Sequence, residues 1–386
     1  MNLCVGTGTS EAHDAAAAGR EAATSAMAPL GDEPAALVVV FTTPRYDLTT
    51  LIAAIRSITG DALLIGATGS GEIVEGRYMG FGAGVAVLAM TAGSYRFGMA
   101  SARRIKEDLD RAGQDIVRES RAQAGSSPHS AVVLLADCML GDLQQLVQGA
   151  YRITGPKTPL VGGAAGDELK FVATFVFHND RIVEEGAAAL WIASQTPLKV
   201  VTRHGWLPIG VPLLVTRAEG TEIIEINGRP AVDVYEEQLG LSGQLTADKF
   251  WDTSLYHPFG LIQPDGSMII RVARTKTERG SLMIQGCVPP AGSAVQVMTG
   301  GPDSLLATTE ETVAAALAPP SGTSALLTFS CAARAVIYGQ RAVEEARRLQ
   351  SASGAVPTFG FYCCGEFART AGVLGTHNAS LTALAL

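Results

Sequence analysis

The amino-acid sequence predicts an α/β fold made of pseudo-repeated strand–helix–strand units with hairpins. Its mixed sheets would be covered by helices, with layered αββα packing as one arrangement. The stretch 36–71 recurs without a gap 95 positions later, each time as apolar strand, helix and second strand, and a looser third copy occupies 324–366. Of 386 residues, 47% are apolar and 17% charged, as in packed domains. Repeats of this length favour a symmetric architecture built from one supersecondary unit.

The first half of the chain shows its predicted elements in a regular order. An alanine-rich segment at 11–28 predicts a helix, and the first repeat follows it. Beyond that repeat, Gly76 and Gly80 predict the turns of a hairpin whose buried return strand is 84–90. A further helix is predicted over 103–123, and the second repeat comes after it.

The second half has strands with the period-two pattern of antiparallel sheets. Composition shifts near 225–230, which predicts two domains, 1–228 and 229–386. The aromatic-rich segment 250–260 is interpreted as a loop. The remaining predictions are strands at 200–203, 213–216, 221–227, 268–272, 280–285, 293–299, 324–330 and 379–386, and helices at 231–240, 303–318 and 340–353.

Charge and cysteine usage exclude several classes of protein. A net charge of −8 and a pI near 5.3 argue against a nucleic-acid surface, which normally shows a basic stripe. The cleanest apolar run, 35–41, is too short to span a bilayer, and the first residues lack signal-peptide character. Six scattered cysteines without a C-x-x-C pair indicate reduced thiols. We therefore expect a cytoplasmic protein without nucleic-acid partners or membrane insertion.

A glycine-rich start, Gly6-x-Gly8-x-Ser10, precedes the first predicted helix. The free N–H groups of a helix N-terminus can hold an anion. Neither a P-loop Lys nor the third glycine of a dinucleotide motif follows. The alternative is a tight turn in which Ser10 caps the helix.

Each repeat ends in a loop with glycines and an acid, and these loops are the first candidate site. In open α/β sheets, ligands collect beyond the carboxyl ends of the strands. The acids could accept hydrogen bonds from a ligand amine, or they could bond amides of their own loops. The candidate residues in these loops are Ser70, Glu72, Gly162, Gly163, Asp167 and Glu366.

Ser330 and Arg334 follow the first strand of the third repeat. An arginine there could hold a carboxylate through two parallel hydrogen bonds. The alternative is a salt bridge with Glu366 or Glu344. Combined with the acidic loops, the ligand interpretation predicts a small molecule that carries an amine and a carboxylate.

Two other kinds of chemistry remain open at the end of the chain. Cys363, Cys364, Glu366 and His377 contain the residue types of a thiol hydrolase, which needs a base within reach of the thiol. His257 or His377 could ligate a haem iron, whereas other metals lack a recognised ligand spacing. Asn378, beside His377, joins the predicted ligand contacts.

Taken in order along the chain, these motifs resemble the FIST family, in which FIST N and FIST C domains occur in tandem. The resemblance covers nearly the whole chain and assigns 1–228 to a FIST N-like and 229–386 to a FIST C-like domain. The motifs are GTGTS at 6–10, AGREA at 18–22, IG at 65–66, GEI at 71–73, LVGGAAGD at 160–167, HPFG at 257–260, VPPAG at 288–292, FSCAAR at 329–334, GFYCCGE at 360–366 and HNAS at 377–380.

The resemblance implies an intracellular sensory domain that binds small ligands, usually suggested to be amino acids. One branch of the family binds haem and senses nitric oxide. Many members carry output modules that we do not recognise in this sequence, so we expect the signal to pass through a separate partner protein. The resulting prediction is a non-catalytic sensor of an amino-acid-like metabolite, without a cofactor. The alternatives are a haem-binding nitric-oxide sensor and a Cys-dependent hydrolase or transferase.

Overall fold

The computed structural model describes residues 3–82, 84–318, 322–370 and 373–386, and it confirms a mixed α/β fold. Three units of similar element order make up most of it. The elements of the first unit are β1 Val5–Ser10, α1 Ala15–Met27, β2 Leu37–Thr42, α2 Leu48–Thr59, β3 Leu63–Thr68, β4 Glu72–Val74, β5 Arg77–Tyr78 and β6 Val85–Met90.

The second unit repeats this order. Its elements are β7 Arg96–Ala102, α3 Leu109–Ala124, β8 His129–Asp137, α4 Leu143–Thr154, β9 Leu160–Ala165, β10 Val176–His178, β11 Arg181–Val183 and β12 Ala187–Ser194.

The third unit opens with β13 Lys199–Arg203 and is then interrupted by an inserted segment. The elements of that segment are β14 Leu207–Pro208, β15 Leu213–Glu219, β16 Glu222–Ile226, β17 Arg229–Pro230, α5 Ala231–Gln238, α6 Ala247–Tyr256, β18 Phe259–Ile262, β19 Met268–Arg271, β20 Ala273–Lys276, β21 Leu282–Ile284 and β22 Ala294–Thr299.

The third unit resumes after the insertion. Its remaining elements are α7 Pro302–Leu317, β23 Leu326–Cys331, α8 Ala332–Tyr338, α9 Ala342–Ser353, β24 Thr358–Cys363, β25 Glu366–Thr370, β26 Val373–His377 and β27 Leu381–Ala385.

Each of the three main sheets is completed by a hairpin from another unit. The hairpin of the second unit joins the first sheet, that of the third unit joins the second sheet, and that of the first unit joins the third sheet. The first sheet has the order β1-β6-β2-β3-β10-β11, the second β7-β12-β8-β9-β25-β26, and the third β13-β27-β23-β24-β4-β5. In each sheet the last two strands form a hairpin that belongs to another unit. The strands of the inserted segment form a separate fourth sheet, which we call the inserted sheet. The units therefore complete one another, and the division into 1–228 and 229–386 stays a prediction.

The repeat seen in the sequence holds through the helices and then shifts. Helices α2 and α4 each have 12 residues and begin 95 positions apart. The second strands begin at Leu63 and Leu160, which pair in parallel with Leu37 and Val132. The second strands therefore begin 97 positions apart (160 − 63), two more than the helices, so the second repeat has two additional residues before β9.

An apolar core lies between the three sheets. Phe41 of the first sheet stacks on Phe361 of the third with ring centroids 4.0 Å apart, and Phe329 meets both rings edge-on. Val133 and Leu135 of the second sheet join the same cluster. Since helices cover the outer faces, each sheet is buried on two sides, as its near-continuous apolar strands require.

The interpretation of 6–10 as a helix-capping turn is wrong. These residues form β1, and α1 begins later, at Ala15, with Asp14 as its cap. A Cβ atom added to Gly6 or Gly8 would lie about 2 Å from carbonyl oxygens of α1. The glycines therefore let α1 lie directly on the strand, which is a packing reason for the motif.

The loop predicted at 250–260 is also wrong in part, because α6 occupies most of it. Its aromatic residues suggested irregular structure next to Pro258 and Gly260. In the structure Phe250, Ser254 and Leu255 are buried along one side of the helix, and the turn comes only after Tyr256. Helix α8, between β23 and α9, was not predicted either. Among the described helices, none is both long and apolar enough to cross a membrane.

Candidate ligand-binding site

The carboxyl ends of β3, β9 and β24, one from each of the three main sheets, lie next to one another. We call the segments 68–72, 164–168 and 362–366 the strand-end joint. Their backbones bond one another in pairs, from Gly166 N to Thr68 O (2.8 Å), from Ser70 N to Tyr362 O (2.8 Å) and from Cys364 N to Ala164 O (2.9 Å). The joint brings together Ser70, Glu72, Asp167, Cys363 and Glu366, and all five are buried.

Glu366 is held inside the joint by protein groups. Its Oε2 accepts hydrogen bonds from the Ser380 hydroxyl (2.6 Å) and amide (3.1 Å), and its Oε1 accepts one from the Cys363 thiol (3.4 Å). Burial raises the pKa of Glu366 to about 7 against the opposing effect of these bonds. The carboxyl therefore has internal partners in place of the expected ligand amine.

Asp167 forms hydrogen bonds within its own loop. Its carboxylate accepts hydrogen bonds from the amides of Phe171 (2.8 Å), Val172 (2.6 Å) and Ala173 (3.1 Å). This is the local alternative raised by the sequence, and it shapes the segment after β9. Ser70 supports the same segment, because its hydroxyl accepts a hydrogen bond from the amide of Glu168 at 3.0 Å.

Glu72 is the exception in the joint. It is fully buried, and among the described residues neither of its carboxylate oxygens has a hydrogen-bond partner. It pairs across the sheet with Phe361 and so faces the central core. Burial raises the pKa of Glu72 well above its ordinary value, because the charged form loses its solvation by water.

Gly162 and Gly163 lie inside β9 rather than in a ligand loop. A Cβ atom on Gly162 would stand 1.8 Å from the carbonyl oxygen of Leu134, and one on Gly163 would stand 2.8 Å from the Cys363 sulfur. Close packing accounts for both glycines.

Arg334 is an internal contact, which corrects its expected role at a ligand carboxylate. Both Arg334 and Glu345 are fully buried, and Nη2 and Nε of the arginine bond Glu345 Oε1 at 2.6 and 3.0 Å. The guanidinium also donates to the carbonyls of His204 (3.2 Å) and Leu305 (3.1 Å). Ser330 bonds the other oxygen of Glu345 at 2.8 Å. Arg334 therefore forms a salt bridge, as the alternative interpretation held, but its partner is neither Glu366 nor Glu344.

The two adjacent cysteines have different surroundings. Cys363 is fully buried, and burial together with the nearby Glu366 raises its thiol pKa well above the ordinary value. Cys364 lines a narrow slot beside Asn378, and Gln285 Nε2 donates to its sulfur at 3.8 Å. Asn378 donates to the carbonyl of His377 at 3.1 Å.

A polar cavity of about 490 Å³ lies at the junction of the third unit with the inserted segment. We call it the His377 cavity. His204 and Trp206 after β13, Met298 of β22 and Glu311 of α7 contribute to its wall, with His377 from the end of β26. Of the predicted site residues, it takes in His377 alone.

Two uncharged imidazoles line this cavity. His204 Nδ1 accepts a hydrogen bond from Trp206 N at 3.0 Å, which assigns the ring proton to Nε2. Burial, helped by the Arg334 charge, lowers the pKa of His204 to about 4. Burial, helped by Arg271 and His204, lowers the pKa of His377 to about 3. Both rings therefore stay neutral at physiological pH.

His377 has an unpartnered ring nitrogen. The side chain is only 7% exposed, and its Nε2 is buried without a hydrogen-bond partner among the described residues. A buried polar atom without a partner costs about 1–3 kcal/mol, so a ligand that supplied a hydrogen-bond partner would relieve this cost.

Opposite charges also line the cavity. Arg203 and Glu311 are exposed, and within the described residues neither makes a salt bridge or side-chain hydrogen bond. Trp206, Met268 and Met298 supply apolar wall. The cavity therefore offers a cation, an anion, neutral imidazoles and an apolar surface together.

His257 lies apart from this cavity. Its carbonyl accepts a hydrogen bond from Tyr235 Oη at 2.7 Å, and its Nδ1 is buried without a described partner. Within the part of the chain that the structure describes, no group of three His, Cys, Asp or Glu side chains is placed to hold a metal ion.

Sequence reasoning missed most of the cavity, namely Arg203, His204, Trp206 and Glu311. These residues lie on either side of the insertion and far from His377 in the sequence. One signal was available, because His204-Gly205-Trp206 places one of only six histidines beside one of three tryptophans at a strand end.

Comparison with protein families finds two matches along the chain. The FIST N domain matches residues 36–229, and the FIST C domain matches residues 231–369.

Relatives of low identity match different lengths of the chain. An uncharacterized protein of Mycobacterium tuberculosis is 27% identical over 386 residues, which cover 97% of this chain and 96% of the relative. Uncharacterized proteins of Methanocaldococcus jannaschii (27% over 121 residues) and Mycobacterium bovis (26% over 234 residues) match over 29% and 58% of this chain. Those two matches span 24% and 59% of the relatives' own lengths.

Solved structures show only a distant likeness. A cyanuric acid hydrolase from A. caulinodans aligns with a TM-score of 0.38 at 8% identity, covering 100% of this chain and 99% of the other. A second cyanuric acid hydrolase aligns with a TM-score of 0.34 at 10% identity, covering 100% of both chains.

Proposed function

Because the chain belongs to the FIST family of sensory, ligand-binding domains, we propose that it binds an amino-acid-like metabolite in the His377 cavity. The protein is a non-catalytic sensor. It acts in the cytoplasm and passes its signal to a separate partner protein. The ligand is held without a cofactor.

The unpartnered Nε2 of His377 is the observation that carries this proposal. In most proteins a buried polar atom has a hydrogen-bond partner, and the exceptions need a reason. Here the atom belongs to a side chain in the wall of a cavity of about 490 Å³, which lies in the usual size range of small-molecule sites. A ligand hydroxyl or N–H group would supply the missing partner.

The charges of the cavity favour a zwitterion. Arg203 can hold a carboxylate, and Glu311 can accept hydrogen bonds from an ammonium group. The ligand side chain would lie against Trp206 and Met298. In this proposal Arg203 and Glu311 take the roles that the sequence suggested for Arg334 and the acidic loops.

Burial of the thiols supports a non-catalytic role. Nucleophilic cysteines need a thiolate, an accessible position and a base. Cys363 is fully buried and its pKa is raised, so the thiol form predominates at neutral pH. Glu366 could serve as a base, but its Oε2 is bonded by Ser380.

The test is calorimetry of the full-length protein with the twenty L-amino acids, chosen first by thermal shift. Arg203→Ala and Glu311→Gln should each weaken binding of the best ligand about tenfold, because each leaves a ligand charge unpaired. His377→Leu should weaken a hydroxyl- or N–H-bearing ligand about fivefold, while the melting temperature holds or rises since an unpartnered polar atom is removed.

Matched controls carry the same charged side chains outside the cavity. Glu310→Gln changes the neighbouring acid on α7, which pairs with Arg348, and Arg217→Ala removes an exposed arginine that pairs with Glu219. Neither should change the affinity. The proposal fails if no amino acid binds saturably, or if the controls weaken binding as much as the cavity variants do.

Haem binding is the second candidate, and the geometry of His377 favours it over His257. His377 lines the cavity and its Nε2 has no partner among the described residues, whereas His257 lies apart from that cavity. His377 would then be the axial ligand, and haem would supply gas binding. Protein purified from haem-supplemented cells should show a Soret band that His377→Ala abolishes. A colourless protein that binds amino acids would reject this candidate.

A further inference from the structure

A second cleft lies on the other side of the joint, between the loop after β9 and the inserted sheet. We call it the aromatic cleft. Its volume is about 250 Å³, and it is lined by Leu169, Lys170, Phe171, Trp251 and Arg274. Two aromatic rings and two cations thus form most of the wall, and no acid lines it in the described part of the chain.

The loop that forms one wall is strained. Glu168, Leu169 and Phe171 have φ values of 63°, 63° and 55°, in the left-handed region that non-glycine residues seldom adopt. Such outliers cost about 1–3 kcal/mol each and persist only where surrounding contacts impose them.

Several polar contacts impose this conformation. The Asp167 carboxylate bonds three amides at 171–173, and Ser70 bonds the amide of Glu168. Glu168 Oε1 also accepts a hydrogen bond from Thr43 at 2.9 Å. These contacts hold Leu169 and Phe171 against the inserted sheet. The strained backbone of this loop therefore forms one wall of the aromatic cleft.

Arg274 is the cation available to a ligand. Its guanidinium lies 4.2 Å from the centroid of the Phe171 ring, and the side chain is exposed. Within the described residues it has no salt bridge or hydrogen bond, whereas Lys170 is paired with Glu168 at 2.6 Å. Stacking on Phe171 fixes the plane of the guanidinium and leaves its N–H edge free for a carboxylate.

We propose that the aromatic cleft is a binding site for a planar aromatic monocarboxylate of benzoate size. The carboxylate bonds Arg274, and the ring packs on Trp251 beside Leu169. An adjoining cavity of about 190 Å³, which shares Phe171 and Arg274 and contains Gln285, gives room for a polar ring substituent. The site differs from the His377 cavity in position, lining residues and ligand charge.

The experiment titrates the full-length protein with benzoate and 4-hydroxybenzoate, followed by calorimetry and saturation-transfer NMR. Cyclohexanecarboxylate keeps the charge without the aromatic ring, and benzamide keeps the ring without the charge. Arg274→Gln should weaken benzoate binding roughly fivefold or more, the loss of an ion pair worth about 1 kcal/mol. Trp251→Leu should weaken it about threefold to tenfold, the range measured for aromatic pairs.

Arg279→Gln is the matched control, because Arg279 is an exposed arginine beside the inserted sheet that pairs with Glu222. It should leave binding unchanged. The proposal is overturned if benzoate does not bind saturably at millimolar concentration, if cyclohexanecarboxylate or benzamide binds equally well, or if Arg279→Gln has the effect of Arg274→Gln. A circular-dichroism melt of each variant separates a folding defect from a binding defect. Amino-acid binding at the His377 cavity should survive Arg274→Gln, so the two sites can fail independently.

Discussion

The strand-end joint and the His377 cavity both bury polar groups, but most of those in the joint have protein partners, with Glu72 as the exception. In the joint, Glu366 and Asp167 accept hydrogen bonds from Ser380, Cys363 and backbone amides. In the cavity wall, His377 Nε2 has no partner among the described residues. The joint looked like the ligand site in the sequence because it carries the repeated acids. In the joint, the repeated polar residues hold segments of the protein together, whereas we propose that the unpartnered His377 contacts a ligand.

Removing one segment of the strand-end joint should have the largest effect on folding. A fragment of residues 1–228 lacks the third segment of the joint and the β25–β26 hairpin that completes the second sheet. It also presents the β4–β5 hairpin without the strand β24 on which that hairpin pairs. We expect a poorly soluble product or one without a cooperative transition by circular dichroism. A fragment that melts cooperatively and reproduces a transition of the full chain would show that the halves fold separately.

Breaking the buried ion pair of Arg334 and Glu345, next to the cavity, should have the second-largest effect on stability. Breaking an ion pair by removing one partner leaves the other charge buried, so Arg334→Ala should destabilise the protein by about 3–5 kcal/mol. Urea unfolding measures this loss. The partly exposed neighbour Glu344, which pairs with Arg341, serves as control, and Glu344→Gln should change stability little. Ligand affinity of the folded fraction should match the wild type. An Arg334→Ala protein of normal stability that no longer binds amino acids would return Arg334 to the ligand site.

Glu72 should give the smallest effect, visible as a pH dependence. Since the folded-state pKa is raised above its ordinary 4.5, the folded protein keeps a proton that the unfolded chain loses. Wild-type stability should therefore fall as pH rises from about 4.5 towards the folded-state pKa, by at most about 1.4 kcal/mol per pH unit. Glu72→Gln does not titrate, so its stability relative to wild type should improve across this range.

Urea unfolding at several pH values measures the difference, with the exposed acid Glu33→Gln as control. If the Glu72→Gln and wild-type curves stay parallel from pH 5 to 8, the carboxyl has a partner in solution that keeps it ionised. In that case Glu72 would resemble Asp167, and the joint would be fully satisfied.

Local patterns sufficed for most of the fold. Apolar runs and helical periodicity predicted the strand–helix–strand repeats, because each copy buries both faces of its strands and one face of its helix. The hairpin exchange could not be predicted, since Glu72–Val74 and Thr358–Cys363 are far apart in sequence and no local pattern selects their pairing. The same limit applies to α6, whose helical character depends on Phe250 and Leu255 packing under the inserted sheet.

The candidate sites were harder to predict, for a physical reason. Sequence shows which residues can form hydrogen bonds but not which bonds the fold has already formed. From the sequence, Arg334 could bond a ligand carboxylate. In the structure, Glu345 and two backbone carbonyls accept its hydrogen bonds. His377 was named among the ligand residues, but the residues that share its cavity come mostly from β13, β22 and α7 and the segment after β13, which are far from it in the sequence.

Hairpin exchange also constrains how the chain is made. Translation delivers the β4–β5 hairpin early, but strand β24, which accepts it, lies near the end of the chain. Strand β3 likewise waits for β10 from the next unit before its outer edge is covered. Unpaired edges attract other strands and promote aggregation of incomplete chains. A nascent chain of this protein therefore carries open sheet edges until synthesis is nearly complete, which makes the ribosome-bound stage its most vulnerable one.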